Sequence, residues 1–265
     1  MFHVADFTTI YLPTLIALTM PASHQQNIFE KSHIVQRNIQ KASEALNTDF
    51  NAEHLTEAPY LNFTKTPQEV EIAAGDELVL KCEAIGIPPP IIEWALNGNL
   101  IYVVDESNGA EKLHNAGLTT IQYGVTVSKM IVPCIKTKNT MEYKCLASNG
   151  YQKLESTTTV VVEEDVKCSH KHSPPIINMW TDGRFERSGA TVQLFCRVDG
   201  TPRPNITWYN EENSRLDNVK KYKTLLNGDL IIYDTQWEDL GVYICIASNE
   251  YGQDRIMAFF YPTEP

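Results

Sequence analysis

The sequence is short of positive charge: 22 Lys and Arg stand against 33 Asp and Glu, for a formal net charge of -11 over 265 residues. A nucleic-acid binder needs a basic face for the phosphates, so that class is set aside. Catalytic fingerprints are missing too. There is no G-x-S-x-G, no H-E-x-x-H, no phosphate loop and no dinucleotide-binding glycine pattern. Neither an enzyme nor a cofactor is expected. No C-x-x-C pair occurs, which removes zinc ribbons and thioredoxin-type redox motifs. Cys168, His170 and His172 are close together, but no second ligand cluster completes a four-ligand zinc site, so they read as polar linker.

Long apolar runs are scarce. The stretch from Phe7 to Met20 is shorter than the roughly 20 apolar residues that cross a bilayer comfortably. With Ala22 and Ser23 after it, it suits the hydrophobic region of a signal peptide over residues 1–23. Against this, no Lys or Arg precedes it, Asp6 lies just before it and Pro13 interrupts it. No hydrophobic tail follows Tyr261. A secreted, extracellular protein without an anchor or membrane span is expected.

The acidity is uneven. Residues 62–165 carry 8 Lys+Arg against 14 Asp+Glu, and residues 166–265 carry 11 against 13. This draws a basic ligand towards the first half, although solubility is the plainer explanation. Six well-separated cysteines, an even number, suit disulfides and hence an oxidising compartment. The sequons Asn62-Phe-Thr64 and Asn205-Ile-Thr207 agree and make Asn62 and Asn205 candidate glycan acceptors.

Along the chain the periodicity changes once. Ile28, Val35, Ile39, Ala42 and Leu46 recur at helical spacing within a leader and linker of residues 24–61. An isolated helix of that length is marginal in water, so a largely disordered leader with helical tendency is expected. From about residue 62 the pattern alternates. Leu78, Leu80 and Cys82 share one strand face, as do Ile92 and Trp94.

The alternating pattern then repeats. Cys82 precedes Trp94 by 12 residues, and Cys196 precedes Trp208 by 12. Matching turns lie between them, Gly86-Ile-Pro-Pro-Pro90 and Gly200-Thr-Pro-Arg-Pro204. Tyr143-Lys-Cys145-Leu-Ala-Ser-Asn149 likewise matches Tyr243-Ile-Cys245-Ile-Ala-Ser-Asn249. In an immunoglobulin sandwich the two cysteines bridge facing sheets, the tryptophan packs on the bridge, and the tyrosine two residues before the second cysteine makes the tyrosine corner. The expected fold is all-β: two tandem immunoglobulin-like β-sandwiches of the I-set type, over residues 62–163 and 175–263, joined by a linker over 164–174. Bridges Cys82–Cys145 and Cys196–Cys245 follow. Asn149-Gly150 and Asn227-Gly228 are expected to supply the positive φ of tight hairpins. The first domain lacks the Asp and Gly of Asp239-Leu-Gly241 before its corner, so its corner turn should be less regular.

Cys134 and Cys168 remain. Aligning the repeats puts Cys134 at the end of the fifth strand, at the pole where the last strand leaves the domain, and Cys168 just past that last strand. A third bridge there is geometrically plausible and would clamp the linker to the first domain, limiting interdomain motion.

The motifs Asn62-Phe-Thr-Lys-Thr-Pro67, Asn227-Gly-Asp-Leu-Ile-Ile232 and Trp237-Glu-Asp-Leu-Gly-Val-Tyr-Ile-Cys245 resemble the insect imaginal-morphogenesis-protein-late family. Gly86-Ile-Pro88, Asn97-Gly-Asn-Leu-Ile101, Trp180-Thr-Asp-Gly-Arg-Phe-Glu186 and the pair Cys134 and Cys168 resemble more closely the nematode zwei-Ig group. The resemblance covers roughly residues 62–263. It implies a secreted, neuron-associated two-immunoglobulin protein that maintains axon position, and for the insect family the binding of insulin-like peptides.

Two partner readings follow: contact with neuronal surface proteins, and capture of an insulin-like peptide. Exposed aromatics are the usual anchors of an interface, which nominates Trp180, Phe185 and Trp237. The competing reading, and the expected one, is that Trp180 and Phe185 pack at the domain junction while Trp237 caps the pole beside the tyrosine corner.

Overall fold

The computed structural model describes residues 58–102, 109–115, 118–135, 140–162, 168, 173–217 and 219–263. The expected signal peptide, nearly all of the leader, and His170 and His172 lie outside these residues. Thr56–Pro265 form one compact unit.

The first sandwich contains β1 (Tyr60–Lys65), β2 (Val70–Ile72), β3 (Leu78–Ile87), β4 (Ile91–Leu96), β5 (Asn99–Tyr102), a short helix α1 (Gly109–His114), β6 (Tyr123–Val132), β7 (Thr140–Ser148) and β8 (Lys153–Val162). The second contains β9 (Ser173–Arg187), β10 (Val192–Leu194), β11 (Cys196–Thr201), β12 (Asn205–Tyr209), β13 (Tyr222–Thr224), β14 (Leu230–Ile232), a 3-10 turn (Trp237–Asp239), β15 (Gly241–Asn249) and β16 (Gly252–Thr263).

Alternation decides the faces. Leu78, Leu80 and Cys82 are buried on β3 while Val79 and Lys81 between them are exposed. Cys82 is bonded to Cys145 and Cys196 to Cys245. In each domain the core tryptophan lies directly opposite the second cysteine, Trp94 beside Cys145 and Trp208 beside Cys245. Both indoles are buried and both N–H groups are satisfied, Trp94 Nε1 donating to Ser128 Oγ at 2.9 Å and Trp208 Nε1 to the Gly228 carbonyl at 2.8 Å. The third bridge, Cys134–Cys168, is also formed.

The hairpin asparagines do something the sequence pattern does not announce. The positive φ falls on Gly150 (88°) and Gly228 (102°). Asn149 instead uses its side chain: Nδ2 donates to the carbonyls of Tyr60 (3.0 Å) and Ile87 (2.9 Å), and Oδ1 accepts from Tyr151 N (3.0 Å). Asn249 repeats this with the carbonyls of Ser173 and Pro202 (both 3.0 Å) and Tyr251 N (2.9 Å). Each asparagine thus ties its last hairpin to the first strand of its own domain.

The tyrosine corner is complete in the second domain. Tyr243 Oη donates to the Asp239 carbonyl at 3.0 Å. The Asp239 carboxylate accepts from Gln236 N and pairs with Lys221 Nζ, both at 2.6 Å. The corresponding first-domain turn falls at residues 136–139, outside the described residues.

The sheets are not separate by domain. One five-stranded sheet runs β2-β8-β7-β4-β5 and a three-stranded one runs β10-β14-β13. The third has eight strands in the order β1-β3-β6-β9-β16-β15-β12, with β11 also on β9, so it passes from the first domain into the second.

We expect Gly228→Ala to lower stability by about 1–3 kcal/mol or more in denaturant unfolding, because a methyl there is strained at φ 102° and collides with the Cys196 carbonyl and Ile206 Cδ1. Gly150→Ala, with open space around the site, should cost less. Peptide mapping under non-reducing conditions should recover the three pairs above with no free thiol.

Candidate binding surface at the domain junction

In a four-stranded immunoglobulin sheet the fifth strand in sequence has neighbours on both sides. Here β6 pairs with β3 on one side only within its own domain, because the chain between β5 and β6 contains helix α1 where a sheet partner would lie. The open edge of β6 is taken by β9 of the second domain, antiparallel, from Tyr123 opposite Phe185 to Ser128 opposite Met179. On its other edge β9 pairs with β11 over its first half and, in parallel, with β16 over its second. A strand 15 residues long is required because it serves three neighbours in turn.

Side chains cross with the backbone. Met179 and Phe195 from the second domain pack in the core of the first, and Val127 from the first packs in the core of the second. Trp180 lies opposite Val127, buried, with Lys81 Nζ and Lys129 Nζ 5.9 and 5.2 Å from its ring centroid.

Below this ladder lies a buried charge group. Arg184, fully buried on β9, donates through Nη2 to Glu111 Oε1 of α1 and, at 2.9 Å, to Glu186 Oε2. Its Nη1 donates to the carbonyls of Tyr123 (3.1 Å) and Phe185 (2.8 Å). Glu186 accepts from the backbone N–H of Ile121 (2.6 Å), Gln122 (3.1 Å) and Arg187 (3.0 Å). Glu111 Oε2 accepts from Gln193 N at 2.8 Å.

Asn115, just past α1, exchanges two 2.7 Å hydrogen bonds with the backbone of Thr191. The loop of the first domain is therefore bound to the second by charge-assisted hydrogen bonds. Gly124, opposite Arg184, lets the Pro89 ring pack against the strand, since a Cβ there would stand 2.9 Å from that ring.

Burial pushes the Glu111 carboxyl above its usual range, with Glu186 adding repulsion and Arg184 opposing the rise. Burial by itself would lower Arg184, but the two carboxylates outweigh it and hold the guanidinium more basic than usual.

An aromatic series runs across the same junction. Tyr123 meets Phe185 edge to face at 5.6 Å, Phe185 stacks on Tyr261 at 5.4 Å, and Trp237 meets Tyr261 edge to face at 5.8 Å. Of the three nominated aromatics, Trp180 and Phe185 are buried in the junction and unavailable to a partner, while Trp237 is 43% exposed on its 3-10 turn. Exposed Asp234 and Glu238 flank it.

Directly opposite residues share a sheet face. Asn62 lies opposite Ile85, and Ile85, Val125, Gly183, Phe259 and Val242 form one apolar row from β3 to β15. Asn205, opposite Ser248, lies on the same outer face. Both sequon asparagines are exposed, at β1 and β12, the two ends of the shared sheet. Ile85, Val125, Phe259 and Val242 are themselves buried in the folded chain; the aromatic series leaves Trp237 and half-buried Tyr261 to solvent, and Leu113 on α1 and Leu118 just past it are exposed as well. Among the described residues no group of three or more His, Cys, Asp or Glu could hold a metal ion, and no helix is long and apolar enough to cross a membrane.

The immunoglobulin I-set domain family matches residues 61–162 and 184–260, leaving out the first half of β9. The chain is 35% identical over 218 residues to the Zwei Ig domain protein zig-3 of Caenorhabditis elegans, covering 82% of this chain and 86% of that protein. It is 30% identical over 212 residues to the Neural/ectodermal development factor IMP-L2 of Drosophila melanogaster, covering 78% of each. The crystal structure of that insect protein matches with a TM-score of 0.64 and 28% identity, over 78% of this chain and 96% of that one.

Replacing Arg184 by Met strands two buried carboxylates and should cost about 3–5 kcal/mol in unfolding free energy. The Glu111 contribution has a definite sign. Its folded pKa lies above the unfolded value of 4.5, so its stabilising proton uptake is complete below that value and is lost as pH rises through the folded pKa. Glu111→Gln mimics the protonated form, so melting temperatures of variant and parent should draw together, or cross in favour of the variant, as pH is raised from about 4.5 towards neutrality.

Proposed function

We propose, from the premise that the chain belongs to the immunoglobulin I-set family and within it to the zwei Ig domain proteins, that it is a secreted binding protein holding axons and neurons in position through contacts with extracellular proteins. It is a non-enzymatic immunoglobulin-domain protein. The observation that carries the binding reading is the junction: two sandwiches fused through β9 into one unit, with a single large indole, Trp237, left half-exposed where the domains meet. Rigid presentation of an aromatic anchor lowers the ordering cost of binding. Three disulfides support an oxidising compartment. The neural part of the reading is supported by similarity to a neural and ectodermal development factor. Asn62 and Asn205, both exposed, serve as glycan acceptors at the two ends of the shared sheet. Cys134–Cys168 fastens the linker to the first domain and so restricts motion about the junction.

A second reading is capture of an insulin-like peptide, which the likeness to the insect family implies. It is favoured by the acidic residues Asp234 and Glu238 beside Trp237, which suit a ligand combining apolar and basic groups.

The two separate in one experiment. The secreted chain, labelled, is applied to neuronal surfaces and in parallel titrated with insulin-like peptides. Surface binding that falls about tenfold or more with Trp237→Ala, at unchanged melting temperature, is the expected outcome. Saturable peptide binding without surface binding selects the second reading, and an unaltered Trp237→Ala variant removes that residue as the anchor.

A further inference from the structure

Residues 62–165 are acidic in sum, yet three of their eight Lys and Arg gather at one place on the outer face of the shared sheet. Lys81 on β3 lies directly opposite Lys129 on β6. Lys65 on β1 lies opposite Glu83, two residues along β3 from Lys81 and on the same face. Like charges directly opposite each other on a sheet are destabilising. The Trp180 ring, 5.9 Å from Lys81 Nζ and 5.2 Å from Lys129 Nζ, offsets part of that repulsion and holds the two ammonium groups in place.

The carboxylates beside these lysines are already engaged. Glu83 accepts from Thr64 Oγ1 at 2.7 Å and pairs with Lys65 at 3.6 Å. Asp254 accepts from the backbone N–H of Ile177 and of Arg255, both at 2.8 Å, and stands 3.9 Å from Lys129. Lys81 is exposed and has no ion pair among the described residues. Next to it a cleft of about 530 Å³ runs between the end of β1 and β3, lined by Thr64, Lys65, Thr66, Gln68, Val79 and Lys81.

We propose that this cleft and its three lysines bind a sulfated polysaccharide. Three features favour that occupant. The lysines stand on adjacent strands spaced about 4.8 Å apart, so they meet charges repeated along a chain, whereas a lone phosphate would engage one or two of them. Thr66 and Gln68 add hydrogen-bonding groups that suit a ligand rich in hydroxyls. Val79 is the one exposed apolar side chain of the lining, too little apolar surface to enter a bilayer. Exposed Glu69 and Glu71 beyond the cleft, and Asp76 and Glu77 just before β3, repel an anionic chain and confine its contact to the lysines. Few charge contacts at a solvent-facing site give a weak association that salt screens, suited to retaining a secreted chain in a carbohydrate-rich matrix. The site uses no residue of the Trp237 surface and shares with the proposed function only its extracellular setting.

Titration of the full secreted chain with heparin oligosaccharides at about 0.05 M and about 0.2 M salt tests this. Saturable binding that weakens at the higher salt is expected, in spite of the net charge of -11. The Kd should rise about tenfold or more in the double variant Lys65→Gln/Lys81→Gln, at unchanged melting temperature. Lys223→Gln, at an exposed lysine of the other domain, should leave the Kd unchanged. Fully desulfated heparin should not compete. Phosphatidylserine vesicles and polyglutamate, titrated in parallel, should bind about tenfold more weakly than heparin, or less. No heparin binding at the lower salt, a Kd indifferent to Lys65→Gln/Lys81→Gln, an equal loss with Lys223→Gln, competition by the desulfated chain, or equal binding of vesicles or polyglutamate overturns the proposal.

Discussion

The pairing of β6 with β9 is the constraint on which the rest of the molecule depends. It makes one sheet of what would otherwise be two sandwiches on a linker. An unpaired buried backbone group costs about as much as a lost hydrogen bond, so an open β6 edge needs a partner or water. Supplying the partner from the second domain satisfies β6 and the free side of β9 together. Everything near the junction is arranged around that ladder: α1 clears the edge, Gly124 admits the Pro89 ring, and Met179, Phe195 and Val127 exchange cores.

The charged group beneath the ladder sets geometry more than it adds stability. Two carboxylates and one guanidinium out of water pay a desolvation penalty that their attraction offsets only when hydrogen bonding is nearly complete. Here the carboxylates collect backbone N–H groups from Ile121, Gln122, Arg187 and Gln193, so the penalty is met by groups from both domains. A change in domain angle would break several of these at once. The aromatic series from Tyr123 to Trp237 crosses the junction likewise, and its exposed end inherits a fixed position from its buried one.

Within each domain, much was legible from residues alone. The repeated 12-residue interval from cysteine to tryptophan placed both bridges and both core indoles, because a sulfur bridge between facing sheets under a ring admits few spacings. The segment Trp180 to Glu186 stood out as discriminating in the sequence, but nothing there said why. In the structure it is the docking half of β9, and its arginine and glutamate are buried together with Glu111, 73 residues from Arg184. The roles of Asn149 and Asn249 were also hidden, since an asparagine at a hairpin reads as turn chemistry and the carbonyls to which its Nδ2 donates are 47 to 89 residues away. The third bridge, by contrast, could be placed from the repeat, yet the domains themselves are joined by hydrogen-bonded backbone.

The sequence by itself determined the fold class, the duplication and the covalent bracing, because these follow from local period and from spacings that any immunoglobulin sandwich must keep. Only the tertiary structure decided how the two sandwiches meet, and which aromatics are buried at the junction and which one faces solvent. The reason is physical: an edge, an interdomain register and a buried ion group depend on which distant strands arrive side by side, and alternation along one strand carries no information about its neighbour.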